Sequence, residues 1–307
     1  MAGARRPMVC LVGPTAVGKT ALVARLAAEF PIEVISLDSR QIYEGLRVGT
    51  AQPTAEDLAA CPHHLVDFLP CDRTYDAMRF REDFQRVWTE IHGRGRIPVL
   101  VGGAGLYLKG LEEGFLEIPG HLKADLPGIR AGIEGLDPAT LARRLAAVDR
   151  ESADRLHPND LYRRRRALEI HDLTGIPMSR WMADQRPDPC LGLDFRVFVL
   201  QRPVAELDER IRMRTSAMLA GGWVEETRQA LTAYPLGCPG LRSIGYPEVI
   251  SMIQGRQTPA EAEQAIVLAT RQYAKRQRTW FRKLVAVGRG RPEEERFRDA
   301  IRQTLGI

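Results

Sequence analysis

Gly13-Pro14-Thr15-Ala16-Val17-Gly18-Lys19-Thr20 satisfies the phosphate-cradling pattern G-x-x-x-x-G-K-[ST] at every constrained position. The pattern demands glycine where backbone N–H groups must curl around an anion. It demands lysine where a compact positive charge reaches the outer phosphates, and a hydroxyl (here Thr20) where Mg²⁺ can be held. Met8-Val9-Cys10-Leu11-Val12 in front reads as a short buried strand. The segment from Thr20 to Glu29 behind reads as a helix, so the anion would meet a helix N-terminus. Read alone, the loop points to a nucleotide-binding protein, an ATP or GTP enzyme. It does not say whether a phosphoryl group moves.

Strand and helix signals alternate around this unit over the first ~115 residues, which predicts an α/β fold with a parallel sheet. Glu33-Val34-Ile35-Ser36-Leu37 and Ile97-Pro98-Val99-Leu100-Val101 read as buried strands, and residues 64–68 as a third. Met78, Phe80, Phe84, Val87, Trp88 and Ile91 have helical spacing. Strand signals vanish between about 118 and 190 and return at Phe195-Arg196-Val197-Phe198-Val199-Leu200. The predicted division is an α/β core over 1–117 and 191–287, a helical insertion over 118–190 and a charged, peripheral tail over 288–307.

With 307 residues, 44% apolar content and no run of about 18 apolar residues, the chain reads as a globular protein without a membrane span. The N-terminus lacks the apolar stretch of a secretory signal. Five scattered cysteines (Cys10, Cys61, Cys71, Cys190, Cys238) form no C-x-x-C pair, which fits a reducing cytoplasm and neither a zinc site nor a disulfide framework. His63-His64 lacks a third ligand and reads as structural. The net charge is +5, carried almost wholly by arginine, since only five residues are lysine. Arginine suits bidentate phosphate contacts.

Asp38 ends the second strand, where open parallel sheets bind ligands. It can help place Mg²⁺ through water, act as a general base, or cap a turn, and its neighbours Ser39, Arg40 and Gln41 can all hydrogen-bond. Val99-Leu100-Val101 runs into Gly102-Gly103-Ala104-Gly105 without the acidic Mg²⁺ ligand of a phosphoryl-transfer enzyme. Those glycines permit close approach by a ligand or merely a tight turn. Tyr162-Arg163-Arg164-Arg165-Arg166 fits contact with several phosphates, or a solvated face paired with carboxylates. Arg271, Lys275, Arg278 and Arg282 make a basic stripe at i, i+4, i+7 and i+11, and Arg210 and Arg214 share a face at i, i+4.

Together the segments resemble the tRNA dimethylallyltransferase family in its bacterial form. The matching runs are residues 13–20, Asp38-Ser39-Arg40-Gln41-Ile42-Tyr43, Gly49-Thr50-Ala51-Gln52-Pro53 and His63-His64-Leu65-Val66-Asp67. Gly102-Gly103-Ala104-Gly105-Leu106-Tyr107, His157-Pro158-Asn159-Asp160, Arg166-Ala167-Leu168-Glu169, Gly245-Tyr246 and residues 270–280 complete the series, in the family's order. The resemblance implies a P-loop-type core with a helical insertion that grips a tRNA anticodon stem-loop. It implies transfer of the dimethylallyl group of dimethylallyl diphosphate to N6 of the adenosine 3′ of the anticodon, with Mg²⁺ on Thr20. Nothing in the sequence demands more than a monomer, and no obligate protein partner is expected. Asp38, Lys19 and Arg214 match the catalytic positions, and residues 13–20 would cradle the diphosphate. Asp38, Ser39, Arg40, Gln41, Ala104, Tyr162, Arg163, Arg164, Arg165, Arg166, Arg242, Ser243, Ile244, Gly245, Tyr246 and Pro247 match the tRNA contacts. Ala104 stands where the family has threonine, Pro247 where a polar residue is usual, and Leu46-Arg47 where Met-Asp is usual. A P-loop small-molecule or nucleoside monophosphate kinase is the alternative, and a catalytically silent RNA-binding module a third reading.

Overall fold

In the computed structural model, residues 5–114, 122, 124–184 and 188–306 are described. Two compact units divide the chain: residues 1–112 with 189–307, and residues 113–188.

The first unit is built on a parallel six-stranded sheet of order β3-β2-β4-β1-β5-β6 among the described residues. Its strands are β1 (Pro7–Val12), β2 (Ile32–Leu37), β3 (His63–His64), β4 (Ile97–Gly102), β5 (Asp194–Leu200) and β6 (Gly288–Gly290). The helices α1 (Lys19–Ala27), α2 (Ala55–Ala60), α3 (Ala77–Gly93) and α4 (Gly105–Glu113) follow β1, β2, β3 and β4 in turn. In β1, Met8, Cys10 and Val12 point into one apolar cluster, while Val9 and Leu11 point into the other. Both faces are covered, which is why the strand reads as an unbroken apolar run. Phe80, Phe84, Val87, Trp88 and Ile91 of α3 cover the first face. Leu22, Val23 and Leu26 of α1 cover the second. The third expected strand is only two residues long. Leu65 and Asp67 take positive φ (61° and 51°), so the chain leaves the sheet there.

The second unit carries α5 (Leu126–Glu134), α6 (Pro138–Val148), α7 (Arg150–Arg155), α8 (Leu161–Thr174) and α9 (Met178–Ala183). Asp137 caps α6 by accepting from the N–H groups of Ala139 and Thr140, ahead of Pro138 in the first turn. Gly175, at φ 71°, ends α8. Ile133, Leu141, Leu145, Ala167 and Leu168 form the unit's own core.

The first unit resumes with α10 (Val204–Met218), α11 (Val224–Ala233), α12 (Tyr246–Ile253), α13 (Pro259–Phe281) and, after β6, α14 (Glu295–Leu305). A wide turn at Leu219–Trp223, with Gly222 at φ 105°, joins α10 to α11. The expected peripheral tail is instead part of the core. Residues 288–290 pair with β5, and Phe297, Ile301 and Leu305 are buried in the second apolar cluster. The three fall at i, i+4 and i+8, a helical stripe masked in the sequence by the charges between them. Among the described residues, no helix is long and apolar enough to cross a membrane.

Candidate active site

Beyond the C-terminal ends of β1, β2 and β4 the first unit holds a cavity of about 720 Å³. The phosphate loop forms one wall. Ala16 (φ 63°) and Gly18 (φ 105°) take left-handed backbone, which turns successive N–H groups to one side in the manner of an anion nest. The loop's other polar groups are held from outside the nest. Lys19 Nζ donates to the carbonyls of Gly13 and Pro14, both at 3.0 Å. Arg214 donates to Thr15 Oγ1 at 2.6 Å, and Arg210 Nε to the Ala16 carbonyl at 2.8 Å. Burial pushes Lys19 down to about 8, against the pull of Asp38 and with the nearby Arg214 charge adding to the fall. Burial also lowers Arg214, again opposed by Asp38.

Asp38 enters the same cavity from the end of β2. Its Oδ1 accepts from the N–H groups of Arg40 (2.8 Å) and Gln41 (3.3 Å), so it does cap a turn. No hydrogen bond to Oδ2 is found among the described residues, which leaves one oxygen for a proton. Thr20, exposed in the first turn of α1, lines the same cavity. Mg²⁺ is commonly held by one or two protein oxygens together with substrate phosphates. Thr20 supplies an oxygen of that kind, and Asp38 stands in the same cavity to act on the ion only through a water, so the donor set fits the ion.

Ser39, Arg40, Gln41, Arg242, Ser243 and Ile244 also line the cavity. Arg40 donates to the Pro239 carbonyl at 3.3 Å, and Gln41 to that of Ala51 at 2.6 Å. Other expected contacts lie elsewhere. Ala104 packs against the core under β4 and is not part of the lining. Tyr246 is fully buried, and its hydroxyl donates to Glu226 Oε1 at 2.6 Å. Glu226 in turn accepts from the N–H groups of Val48 (2.6 Å) and Gly49 (3.0 Å) and so fixes a cavity wall from behind. Gly245 is buried at the α12 N-cap, with φ 96°. Pro247 is exposed in the first turn of that helix, where no N–H is needed. Arg47 donates to Asp67 through Nε (2.9 Å) and its terminal nitrogen (2.6 Å), which accounts for the departure at that position.

The glycines after β4 serve internal packing. A Cβ on Gly103 would collide with Gln277 Nε2, and one on Gly105 with Trp280. Gln277 is a site residue that sequence reading missed. Buried on α13, it accepts from the Thr15 N–H (2.9 Å) through Oε1 and donates to the Gly103 carbonyl (3.1 Å) through Nε2. One side chain thereby ties the phosphate loop to the end of β4. It lies in the resembling run 270–280, but nothing local reveals a partner 262 residues away. His64 pairs with the buried Glu33 at 2.7 Å, Arg94 at 2.8 Å and Arg96 at 3.5 Å, in a structural cluster.

In the second unit the arginine run diverges. Arg163 pairs with Asp160 at 2.9 Å and Arg166 with Glu169 at 2.8 Å. Arg164, expected to meet tRNA, is buried and donates to the carbonyls of Ala153 and Leu156 at the end of α7. The cause is helix geometry, since consecutive side chains point about 100° apart. Tyr162 is 80% exposed. No charge partner of Arg165 is found among the described residues.

The family described as IPP transferase matches residues 41–284, and that described as isopentenyl transferase residues 7–67. A protein of Myxococcus xanthus named tRNA dimethylallyltransferase is 42% identical over 92% of this chain and 91% of its own length. The solved tRNA isopentenylpyrophosphate transferase of Bacillus halodurans is 31% identical, covers 98% of this chain and 94% of its own, and superposes with a TM-score of 0.68. A eukaryotic dimethylallyltransferase acting on tRNA is 28% identical over 90% of this chain and 70% of its own, with a TM-score of 0.76. The P-loop-type α/β core, the acid-free end of β4 and these matches agree, and the chain belongs to the IPP transferase family.

Proposed function

We propose that the protein transfers the dimethylallyl group of dimethylallyl diphosphate to N6 of the adenosine 3′ of the anticodon in tRNA and releases diphosphate. The observation that carries this reading is the pairing, in one cavity, of a phosphate cradle without an acidic residue at the end of β4 with a carboxylate, one oxygen of which accepts no hydrogen bond among the described residues. The exocyclic amine attacks C1 of the donor, the C1–O bond breaks as the N6–C1 bond forms, and Asp38 takes the N6 proton. An aromatic amine is a poor nucleophile, and a positioned base contributes about 10²–10⁴-fold. Lys19, Arg214 and the loop N–H groups stand where the departing diphosphate gathers charge. Mg²⁺ held through Thr20, when bound, neutralises further charge on the leaving group. The target base leaves its stack at a cost of a few kcal/mol, less in a loop than in a duplex.

The substrates and the absence of a membrane-spanning helix among the described residues fit a cytoplasmic enzyme. The test is incubation with Mg²⁺, dimethylallyl diphosphate and an anticodon stem-loop carrying adenosine at that position, followed by mass spectrometry of the nucleosides. The expected product is N6-dimethylallyladenosine; its absence at every enzyme concentration sinks the reading.

A further inference from the structure

The residues after Thr15 and Ala16 are braced as well, by a side chain outside the cavity. Arg202, just past β5, donates from Nε to the Val17 carbonyl at 2.7 Å. Its two terminal nitrogens donate to Glu206, on α10, and to Glu293, in the last fifteen residues of the chain. Every guanidinium nitrogen is thus engaged, and the side chain is only 5% exposed. Arg202 therefore braces the loop from behind and is not an anion ligand. Arg291 closes the cluster on Glu206 at 2.8 Å, so two cations face two carboxylates. Pro292 stands against the loop itself: a Cβ on Gly18 would lie 3.6 Å from Pro292 Cγ and 3.5 Å from Arg202.

We propose that Arg202 is a positioning residue for the phosphate loop, locked in place by Glu293, so that the C-terminal segment sets the loop's affinity for diphosphate. The loop's N–H groups converge only while its carbonyls are held outward. A planar guanidinium can hold a carbonyl and two carboxylates at once, which an ammonium on a flexible stem does not reproduce. The proposal rests on the reading of residues 13–20 as a diphosphate cradle.

Two variants test it. Arg202→Lys keeps the charge and loses the fork. Glu293→Gln removes a negative charge near the cradle, which by Coulomb's law alone would tighten anion binding, so any weakening reports geometry. In the ligand-free full-length protein, hydrogen exchange across residues 13–22 should quicken about 10-fold in Arg202→Lys, as expected for one lost charge-assisted hydrogen bond. Its Kd for inorganic diphosphate and its KM for dimethylallyl diphosphate should rise by a similar factor, with kcat at saturation within about twofold. Glu293→Gln should weaken diphosphate binding about threefold, in the same direction. Unchanged exchange and Kd in Arg202→Lys, with only the melting temperature lowered, would overturn the proposal. Faster exchange and weaker diphosphate binding in Arg202→Lys, beside a wild-type protein that transfers no dimethylallyl group, would refute the enzymatic reading and leave this inference standing.

Discussion

Two sets of arginines differ in a way that bears on how the protein works. On α8, Arg163, Arg164, Arg165 and Arg166 are consecutive and stand out in the sequence, yet they radiate from the helix. One is buried against carbonyls, and two are paired with acids of their own helix or its cap. Arg202, Arg210 and Arg214 are scattered, yet they converge on Val17, Ala16 and Thr15 in turn. Concentration of charge at one place in the chain says little about what the charge meets. Spacing and the sheet decide it, because α10 starts where β5 ends and runs back past the loop that follows β1.

The comparison holds only if the scattered set serves chemistry at Asp38. Asp38→Asn keeps an oxygen for the Arg40 and Gln41 N–H groups and loses the base together with the negative charge that faces Lys19 and Arg214. Turnover should fall at least ~10²-fold, with binding of the anticodon stem-loop within about twofold. A large loss of RNA binding instead would make Asp38 a recognition residue. The next effect is one of pH. Lys19 lies near 8 in the free protein, and an anion favours its charged form. Diphosphate binding therefore takes up a proton above that value, and affinity should fall as pH rises through it, by up to about tenfold per unit. A flat profile between pH 7.5 and 9.5 would show that Lys19 does not meet the anion. The same depression works against folding below pH 8, where the unfolded lysine still holds its proton, and the penalty fades as pH rises toward 10.5.

The α8 set makes opposite predictions. Arg164→Met should cost about 1–3 kcal/mol of stability, since two part-buried carbonyls lose the donor that the buried arginine supplies. Arg163→Ala, whose arginine is 62% exposed, should cost under about 1 kcal/mol. Equal melting temperatures for the two variants would contradict the burial of Arg164. The smallest effect is on RNA. Replacing Arg163 and Arg165 together should flatten the salt dependence of stem-loop binding by about one to two counterions, and an unchanged slope would assign both to a solvated face.

Local patterns revealed much of this site. Residues 13–20 and Asp38 are legible as a phosphate-loop pattern and a strand-end acid, because backbone shape and position at a strand end are both written in neighbouring residues. Gln277 and Arg202 are not, because each acts on a loop that only the folded sheet brings near. Tyr246, a tRNA contact only by the resemblance, is instead buried in an apolar cluster and held by Glu226, which nothing in Gly245-Tyr246 itself reveals. In α14, an apolar stripe of three residues was hidden among charges that pair with one another, as Arg302 does with Asp299, and with α1's flank at Glu29.

The central claim is that residues 13–20 cradle a group the reaction discards. Phosphorus-31 NMR of a reaction holding enzyme, Mg²⁺, dimethylallyl diphosphate, ATP and the anticodon stem-loop tests it most directly. The account predicts one intact diphosphate released per prenylated adenosine, with ATP unchanged. Conversion of ATP to ADP with transfer of its phosphoryl group, and no diphosphate from the prenyl donor, would contradict it.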